Sequence, residues 1–273
     1  MSAVHTFGRV LVAIPCYNCA PQIPRVLQRL AAHAGAYHSV LVIDNRSSDG
    51  TIDAARAALD GWQAGPAVIK CNDDNYGLGG SHKVAFEHAL THGFDAVVIL
   101  HGDDQGDFGD LVAAWRAPGN GEGDALLGAR FARGSRLQGY SALRTAGNRL
   151  FNGLFALVTG KPVQDLGSGL NAYRTSLLRD PFYWRFPDDL TFNYCMVMAH
   201  AALGHRVRFF PISWREEDQV SNVKLFSQAR KVLRMLAAFA RDRKGFLSAE
   251  LRSVPREAYP STVVHRVEPV GPR

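Results

Sequence analysis

Apolar runs and helical patterns alternate along the first half of this chain. Val10 to Ile14 is continuously apolar, as a strand buried on both faces requires. Gln22 to Ala32 follows with apolar positions at helical spacing. The same alternation predicts strands at Ser39 to Ile43, Ala67 to Lys70 and Ala96 to Leu100, with helices at Thr51 to Leu59 and Ser81 to Leu90. A β-α-β-α order implies a mostly parallel sheet covered by helices on both faces.

The second half is less regular. Strands are expected at Leu126 to Ala129, Gly169 to Arg174 and Arg206 to Ile212, and helices at Ala142 to Val158 and Leu190 to Leu203. Lys224 to Arg243 predicts an amphipathic basic helix with an apolar stripe of Leu225, Ala229, Val232, Leu233, Leu236 and Ala240. That stripe suits either an anionic membrane surface or the protein's own core. From about Ser253 the chain is polar and carries prolines, so 253–273 is expected to be a flexible tail.

Composition narrows the class. With 47% apolar and 21% charged residues, the 273-residue chain has a real core. The net charge of +6 favours anionic partners such as nucleotide phosphates, nucleic acid or an acidic membrane. Basic residues do not interleave with aromatics, which argues against nucleic acid. Cys16 and Cys19 form a C-x-x-C pair, but Cys71 and Cys195 stand alone, so no zinc site is complete. No stretch approaches the ~18 consecutive apolar residues of a membrane span. Met1 to Gly8 is short and polar for a signal peptide, so a cytoplasmic protein able to sit peripherally on the cytoplasmic membrane face is expected.

In parallel sheets the ligand lies beyond the carboxyl ends of the strands. The segments there are polar or glycine-rich: Pro15-Cys16-Tyr17-Asn18, Asp44 to Thr51, Asn75 to Gly80 and His101-Gly102-Asp103-Asp104-Gln105. Asp44 can accept hydrogen bonds from a base, or simply cap the turn. Asn75-x-Gly77-x-Gly79-Gly80 permits close backbone approach at a helix start, but it is not the dinucleotide fingerprint. The acidic cluster supplies hard oxygen ligands suited to Mg²⁺ or Mn²⁺ bridging phosphates, or caps the helix after Asp107.

Together these segments resemble glycosyltransferase family 2, and most closely its polyprenol-phosphate sugar synthases. The family pattern runs P-x-Y-N, an acidic D-x-S-S-D-G-T-like turn, N-x-G-x-G, D-x-D-x-Q, G-S-R, a basic residue, D-x-x-S-G and R-x-x-G-x-S-K. Here it is met by Pro15 to Asn18, Asp44 to Thr51, Asn75 to Gly80, His101 to Gln105, Gly128-Ala129-Arg130, Arg144, Asp165 to Gly169, and Arg215 with Ser221 and Lys224. His101 replaces the first Asp of D-x-D, and the end motif lacks its glycine.

The resemblance implies a GT-A α/β domain over 1–252. Residues 1–125 would form a nucleotide-sugar half, 126–224 an acceptor side and 224–244 the amphipathic helix. It implies inverting, metal-dependent transfer of a hexose from a UDP- or GDP-sugar to a polyprenyl phosphate. The alternative acceptor is a glycan or other hydroxyl. Asp44 would bind the base, with Pro15, Tyr17, Asn18, Asn75 and Gly79 around the nucleotide. Asp103 would hold the metal, with Gln105 and His101 supporting it, and Arg130 and Arg144 would clamp phosphates. Asp188 and Asp189 precede a helix where hydroxyl-transferring members carry a catalytic acid; Asp189 is the candidate base for that chemistry. A nucleotidyltransferase would carry a glycine-rich loop with lysine after the first strand, and Pro15 to Gln22 has neither.

Overall fold

The structure is a computed structural model describing residues 7–117, 119–216 and 225–268. Strands β1 (Val10–Cys16), β2 (Ser39–Asp44), β3 (Ala67–Asn72) and β4 (Ala96–Leu100) alternate with helices α1 (Ile23–Ala31), α2 (Thr51–Leu59) and α3 (Gly77–Thr91). All seven residues of β1 are buried. Leu11 and Ala13 face one core, and Val10, Val12 and Ile14 face the other, as the two-residue period of a strand dictates.

Beyond β4 come α4 (Phe108–Arg116), β5 (Ala125–Ala129), β6 (Arg136–Gln138), α5 (Ala142–Thr159), β7 (Leu170–Arg174) and α6 (Thr175–Leu178). The chain continues through α7 (Phe192–Ala202), β8 (Val207–Pro211), β9 (Ser213–Arg215), α8 (Leu225–Arg241), α9 (Arg243–Ser248) and β10 (Ser261–Val267). The main sheet has the order β10-β3-β2-β1-β4-β7-β5-β8. β3, β2, β1 and β4 run parallel, and β7 and β10 are antiparallel to their neighbours. β2 and β4 lie on opposite sides of β1, so the strand order reverses there and a crevice opens beyond its carboxyl end. Gly102 closes the two strand ends: its N–H donates to the Pro15 carbonyl at 3.0 Å, and a Cβ there would lie 2.4 Å from the Cys16 sulfur.

The expected strands and most helices lie where the pattern placed them, within a few residues. The tail is a correction. Ser261–Val267 is the edge strand β10, paired antiparallel with β3, and Tyr259 before it is buried. A short β-branched run among charged residues carries no periodicity strong enough to reveal a partner almost two hundred residues away. The strand also has a register shift between Val263 and His265, which blurs its alternation.

Helix α3 begins at Gly77, four residues earlier than expected. Low glycine propensity is overridden there by packing. A Cβ on Gly79 would lie 2.4 Å from the Pro187 carbonyl oxygen, and one on Gly80 2.4 Å from the Tyr76 Cβ. Helix α8 buries Val232, Leu236 and Phe239 in the core cluster that also holds α3 and α7. Part of the expected stripe is therefore committed to the protein itself, while Leu233 remains exposed. Lys224 lies outside the described residues. No described helix is long and apolar enough to cross a membrane.

Candidate active site at the strand ends

The turns after β1 and β2 hold each other. Asn18 adopts a left-handed backbone (φ 54°). Its N–H donates to the Ser47 hydroxyl at 2.9 Å, and its side-chain oxygen accepts from the Ser48 N–H at 2.9 Å. Asp49 accepts from the Ala20 N–H and from the Thr51 hydroxyl. Asn18 is thus a tether between two loops, while Tyr17 stands outside it, 54% exposed. Pro15 is buried at the end of β1. The Cys16 thiol is pushed well up by its hydrogen bond to Cys19 and by burial. A reactive redox thiol needs the opposite shift, so the C-x-x-C pair reads as packing.

Asp44 is 1% exposed at the end of β2. Its Oδ2 accepts from the Ser47 N–H at 3.1 Å and faces the Cys71 thiol at 3.7 Å. Its Oδ1 has no hydrogen-bond partner among the described residues. A buried carboxylate oxygen left unmatched is costly, and a ligand N–H is the kind of group that satisfies it.

The loop after β3 is an amide ladder. Asn72 donates to the Asn45 side-chain oxygen at 2.9 Å, and Asn45 donates to Asn75 at 2.7 Å. Asn75 also accepts from the Gly77 N–H at 3.0 Å. The Asn75 side chain is spent on shaping the loop. The glycines do not face a ligand space as expected: Gly77, Gly79 and Gly80 face Asp188, Pro187, Phe192, Tyr76 and Tyr259. Their small size lets the 187–192 segment and the C-terminal strap close on the loop.

The segment after β4 divides its two carboxylates. Asp104, in a left-handed conformation (φ 61°), is buried and ringed by Arg25 at 2.9 Å, Arg29 at 3.0 Å and Arg215 at 3.7 Å. It anchors the loop to α1 and β9. Asp103 projects between His101 and Gln105, and its Oδ1 accepts the Gln105 N–H at 3.2 Å. Burial raises the Asp103 carboxyl above its ordinary range, with His101 pulling the other way. A cation beside it would reverse that shift. Among the described residues, no group of three or more His, Cys, Asp or Glu side chains is arranged to hold a metal. Asp103 and the Gln105 amide suit a cation that takes its remaining ligands from a diphosphate and water, as Mg²⁺ commonly does.

On the far rim the arginines are already paired. Arg130 makes a two-pronged contact with Asp165, at 2.8 and 2.7 Å, and donates to the Gly167 carbonyl. Its guanidinium lies over the Trp214 ring at 5.1 Å. Burial opposes the charge on Arg130, but Asp165 more than offsets it and raises its pKa. Arg130 therefore pins the Asp165-Leu166-Gly167-Ser168-Gly169 segment rather than offering an unoccupied fork. Arg144, at the start of α5, pairs with Glu216 at 2.5 Å and is more exposed. Ser221 and Lys224 of the expected end motif lie outside the described residues.

The acidic pair before α7 is also engaged. Asp188 accepts from Lys83 at 2.7 Å and from Tyr259 at 2.7 Å. Asp189 accepts from the Thr191 N–H and hydroxyl, and pairs with Lys231 of α8. Sequence reasoning missed Lys83, Tyr259, His82 and the Arg25–Arg29 pair. Only the last had a visible signal, two arginines four apart on one helix face.

A reversing parallel sheet with a buried carboxylate, Asp44, at one strand end and a loop carboxylate, Asp103, beyond another is the architecture of a GT-A glycosyltransferase. Solved structures agree on the fold. A glucosyl-3-phosphoglycerate synthase from Mycobacterium tuberculosis in complex with UDP superposes with a TM-score of 0.60 at 17% identity, covering 86% of this chain and 80% of that one. A mannosyltransferase from Pyrobaculum calidifontis in complex with GDP-Man and Mn²⁺ gives 0.53 at 18% identity, covering 88% and 72%.

The chain belongs to glycosyl transferase family 2, whose pattern matches residues 11–182. Among curated relatives, an undecaprenyl-phosphate 4-deoxy-4-formamido-L-arabinose transferase of Edwardsiella ictaluri is 29% identical over 182 residues, 66% of this chain and 53% of that protein. A polyprenol monophosphomannose synthase of Mycolicibacterium smegmatis is 26% identical over 177 residues, 65% of this chain and 66% of that protein. The match to the first of these spans about half of that relative's length.

Proposed function

We propose that this glycosyltransferase moves a hexose from a UDP- or GDP-sugar to a polyprenyl phosphate, with inversion and with help from Mg²⁺ or Mn²⁺. The observation that carries the donor side is the buried Asp44 Oδ1, unmatched among the described residues, on the rim where the base of a nucleotide would lie. Tyr17 flanks it. Asp103 and the Gln105 side chain would hold the cation. When bound, that cation stabilises charge gathering on the departing diphosphate. The protein holds the donor and acceptor in line across the crevice and keeps the loops rigid through Asp104 and Asp165.

A phosphate acceptor is an anion before reaction and needs little general-base help. Arg144 suits it, because an incoming phosphate can exchange with Glu216 for the same planar fork. The hydroxyl-acceptor reading needs a competent base. Burial would raise the Asp189 carboxyl, but its bonds to Lys231 and Thr191 hold it below the ordinary range. Asp188 is shared by two donors. These contacts favour the phosphate acceptor.

The enzyme would work in contact with a membrane surface. Helix α5 exposes Leu143 (82%), Leu150 (65%) and Leu157 (79%), seven residues apart and so nearly on one line. α5 and the neighbouring α8 contain no acidic residue between them, but carry Arg144, Arg149, Arg230, Lys231, Arg234 and Arg241. That combination complements an anionic lipid surface. The test is a donor screen by thermal stabilisation with UDP-glucose and GDP-mannose, with and without Mn²⁺, on wild type and Asp44→Asn. One donor should stabilise the wild type and not the variant. Equal stabilisation of both would remove Asp44 from the site.

A further inference from the structure

His82 lies wholly buried on α3, and its Nε2 stands 3.4 Å from the Nε2 of His101. Its ring packs against Phe192 at 5.3 Å and Phe86 at 6.2 Å. The second nitrogen, Nδ1, is buried and has no partner among the described residues. The fold has made space for this pair. Gly169 takes a left-handed backbone (φ 72°), and a Cβ there would stand 2.5, 2.8 and 2.9 Å from Nδ1, Cγ and Cε1 of His101. A point so nearly equidistant from three ring atoms sits over the ring face, not in its plane. The in-plane direction of His101 Nδ1 is therefore not blocked by Gly169. His101 is partly exposed, and among the described residues its only side-chain hydrogen bond is the one to His82.

The tautomers follow from donor counting. A doubly protonated His82 would bury an Nδ1–H with no acceptor among the described residues, so the ring carries one proton. If His101 donated from Nε2, His82 would have to accept at Nε2 and carry its proton on Nδ1. That leaves a buried N–H with no acceptor, which folded proteins rarely tolerate. With the proton on His82 Nε2, the orphan becomes a lone pair, the milder defect, and His82 donates to His101. His101 must then carry its own proton on Nδ1.

We propose that His82 is a positioning residue that fixes His101 as the Nδ1–H tautomer, making His101 a hydrogen-bond donor to a phosphate oxygen in the crevice and not a metal ligand. This rests on the reading that the crevice binds a nucleoside diphosphate sugar. A neutral imidazole ligates metal only through an unprotonated nitrogen, and here the one that His101 retains is occupied by His82. The chain would thus have replaced the first carboxylate of the usual motif with a neutral donor, leaving Asp103 as the sole carboxylate of the pair turned to the cation.

The experiment is long-range ¹H–¹⁵N correlation on the full chain labelled with ¹⁵N-histidine, which reports which ring nitrogen bears the proton. His101 should show a protonated Nδ1 and a bare Nε2, and His82→Phe, which suits the aromatic slot, should shift that balance. A protonated Nε2 on wild-type His101 overturns the proposal. Mn²⁺ titration is the second readout. Affinity in His101→Asn should stay within about twofold of wild type, since Asn keeps a donor. A loss beyond about tenfold, the scale of a disturbed metal site, makes His101 a ligand and overturns the proposal. Neither readout needs turnover. Failure to bind any UDP- or GDP-sugar, with the tautomer as stated, would instead refute the reading of the crevice.

Discussion

The two rims of the crevice are built from different chemistry. The rim after β1, β2 and β3 is held mostly by neutral groups, Asn18 to Ser47 and Ser48 and Asn72 to Asn45 to Asn75, with the Asp49 carboxylate accepting from Ala20 and Thr51. The opposite rim is held by ion pairs, Arg130 with Asp165, Arg144 with Glu216 and Lys231 with Asp189. Neutral amide ladders have little to exchange with an incoming anion, so they suit a preformed pocket. Arg130–Asp165 is buried, but the more exposed Arg144–Glu216 and Lys231–Asp189 pairs are weak in water and can trade a carboxylate for a phosphate. On the proposed reading, the first rim would be shaped for a fixed ligand, while the other would stay charge-balanced until an anionic acceptor arrives.

The largest effect that bears on this contrast lies between the rims. Asp103→Asn should lower transfer by about 10²–10³-fold, the scale of losing one electrostatic group at a reacting centre. Its thermal midpoint should stay near that of wild type. Undiminished activity, or undiminished activity after exhaustive chelation, would remove the metal from the account. Next comes Arg130→Ala. Breaking a buried pair leaves Asp165 uncompensated, at a cost of about 3–5 kcal/mol. Denaturant titration should show that loss, and a change under 1 kcal/mol would mean the pair does not hold the rim.

Glu216→Gln should free Arg144 and lower KM for a short-chain polyprenyl phosphate a few-fold, with KM for the donor unchanged. A raised KM for the lipid would mean the pair orders the rim instead of guarding it. The smallest effect concerns pH. Burial pulls Lys83 from 10.5 down to about 8, with Asp188 opposing. Between those values the unfolded chain keeps a proton that the folded chain has released. Stability relative to Lys83→Met should therefore rise from pH 8 towards 10.5, and a fall would reverse the sign of the linkage.

The contrast also explains what could be read from sequence. Strand β1 announced itself because burial on both faces leaves an unbroken apolar run. Asp44 and Asp103 were legible as crevice carboxylates because one ends such a strand and the other lies three residues beyond one. Pairing partners were not. Nothing near Arg130 in the chain points to Asp165, nor near Lys83 to Asp188 and Tyr259. The glycines after Asn75 suggest ligand clearance, but they clear Pro187, Phe192 and Tyr259. Close approach was legible, but its partner was not. Likewise α8 read as amphipathic, and only packing showed that Val232 and Leu236 face inward, while the most exposed described leucines, Leu143, Leu150 and Leu157, lie on α5.

The most direct test of the central claim is product formation from a labelled UDP- or GDP-hexose, offered a short-chain polyprenyl phosphate beside a panel of free sugars. Assays of wild type, Arg144→Ala and Asp189→Asn complete it. Transfer to the lipid phosphate, severely reduced in Arg144→Ala and nearly intact in Asp189→Asn, is the predicted result. Transfer only to free sugars, with Asp189→Asn reduced by about 10²–10⁴-fold as loss of a general base entails, would contradict it.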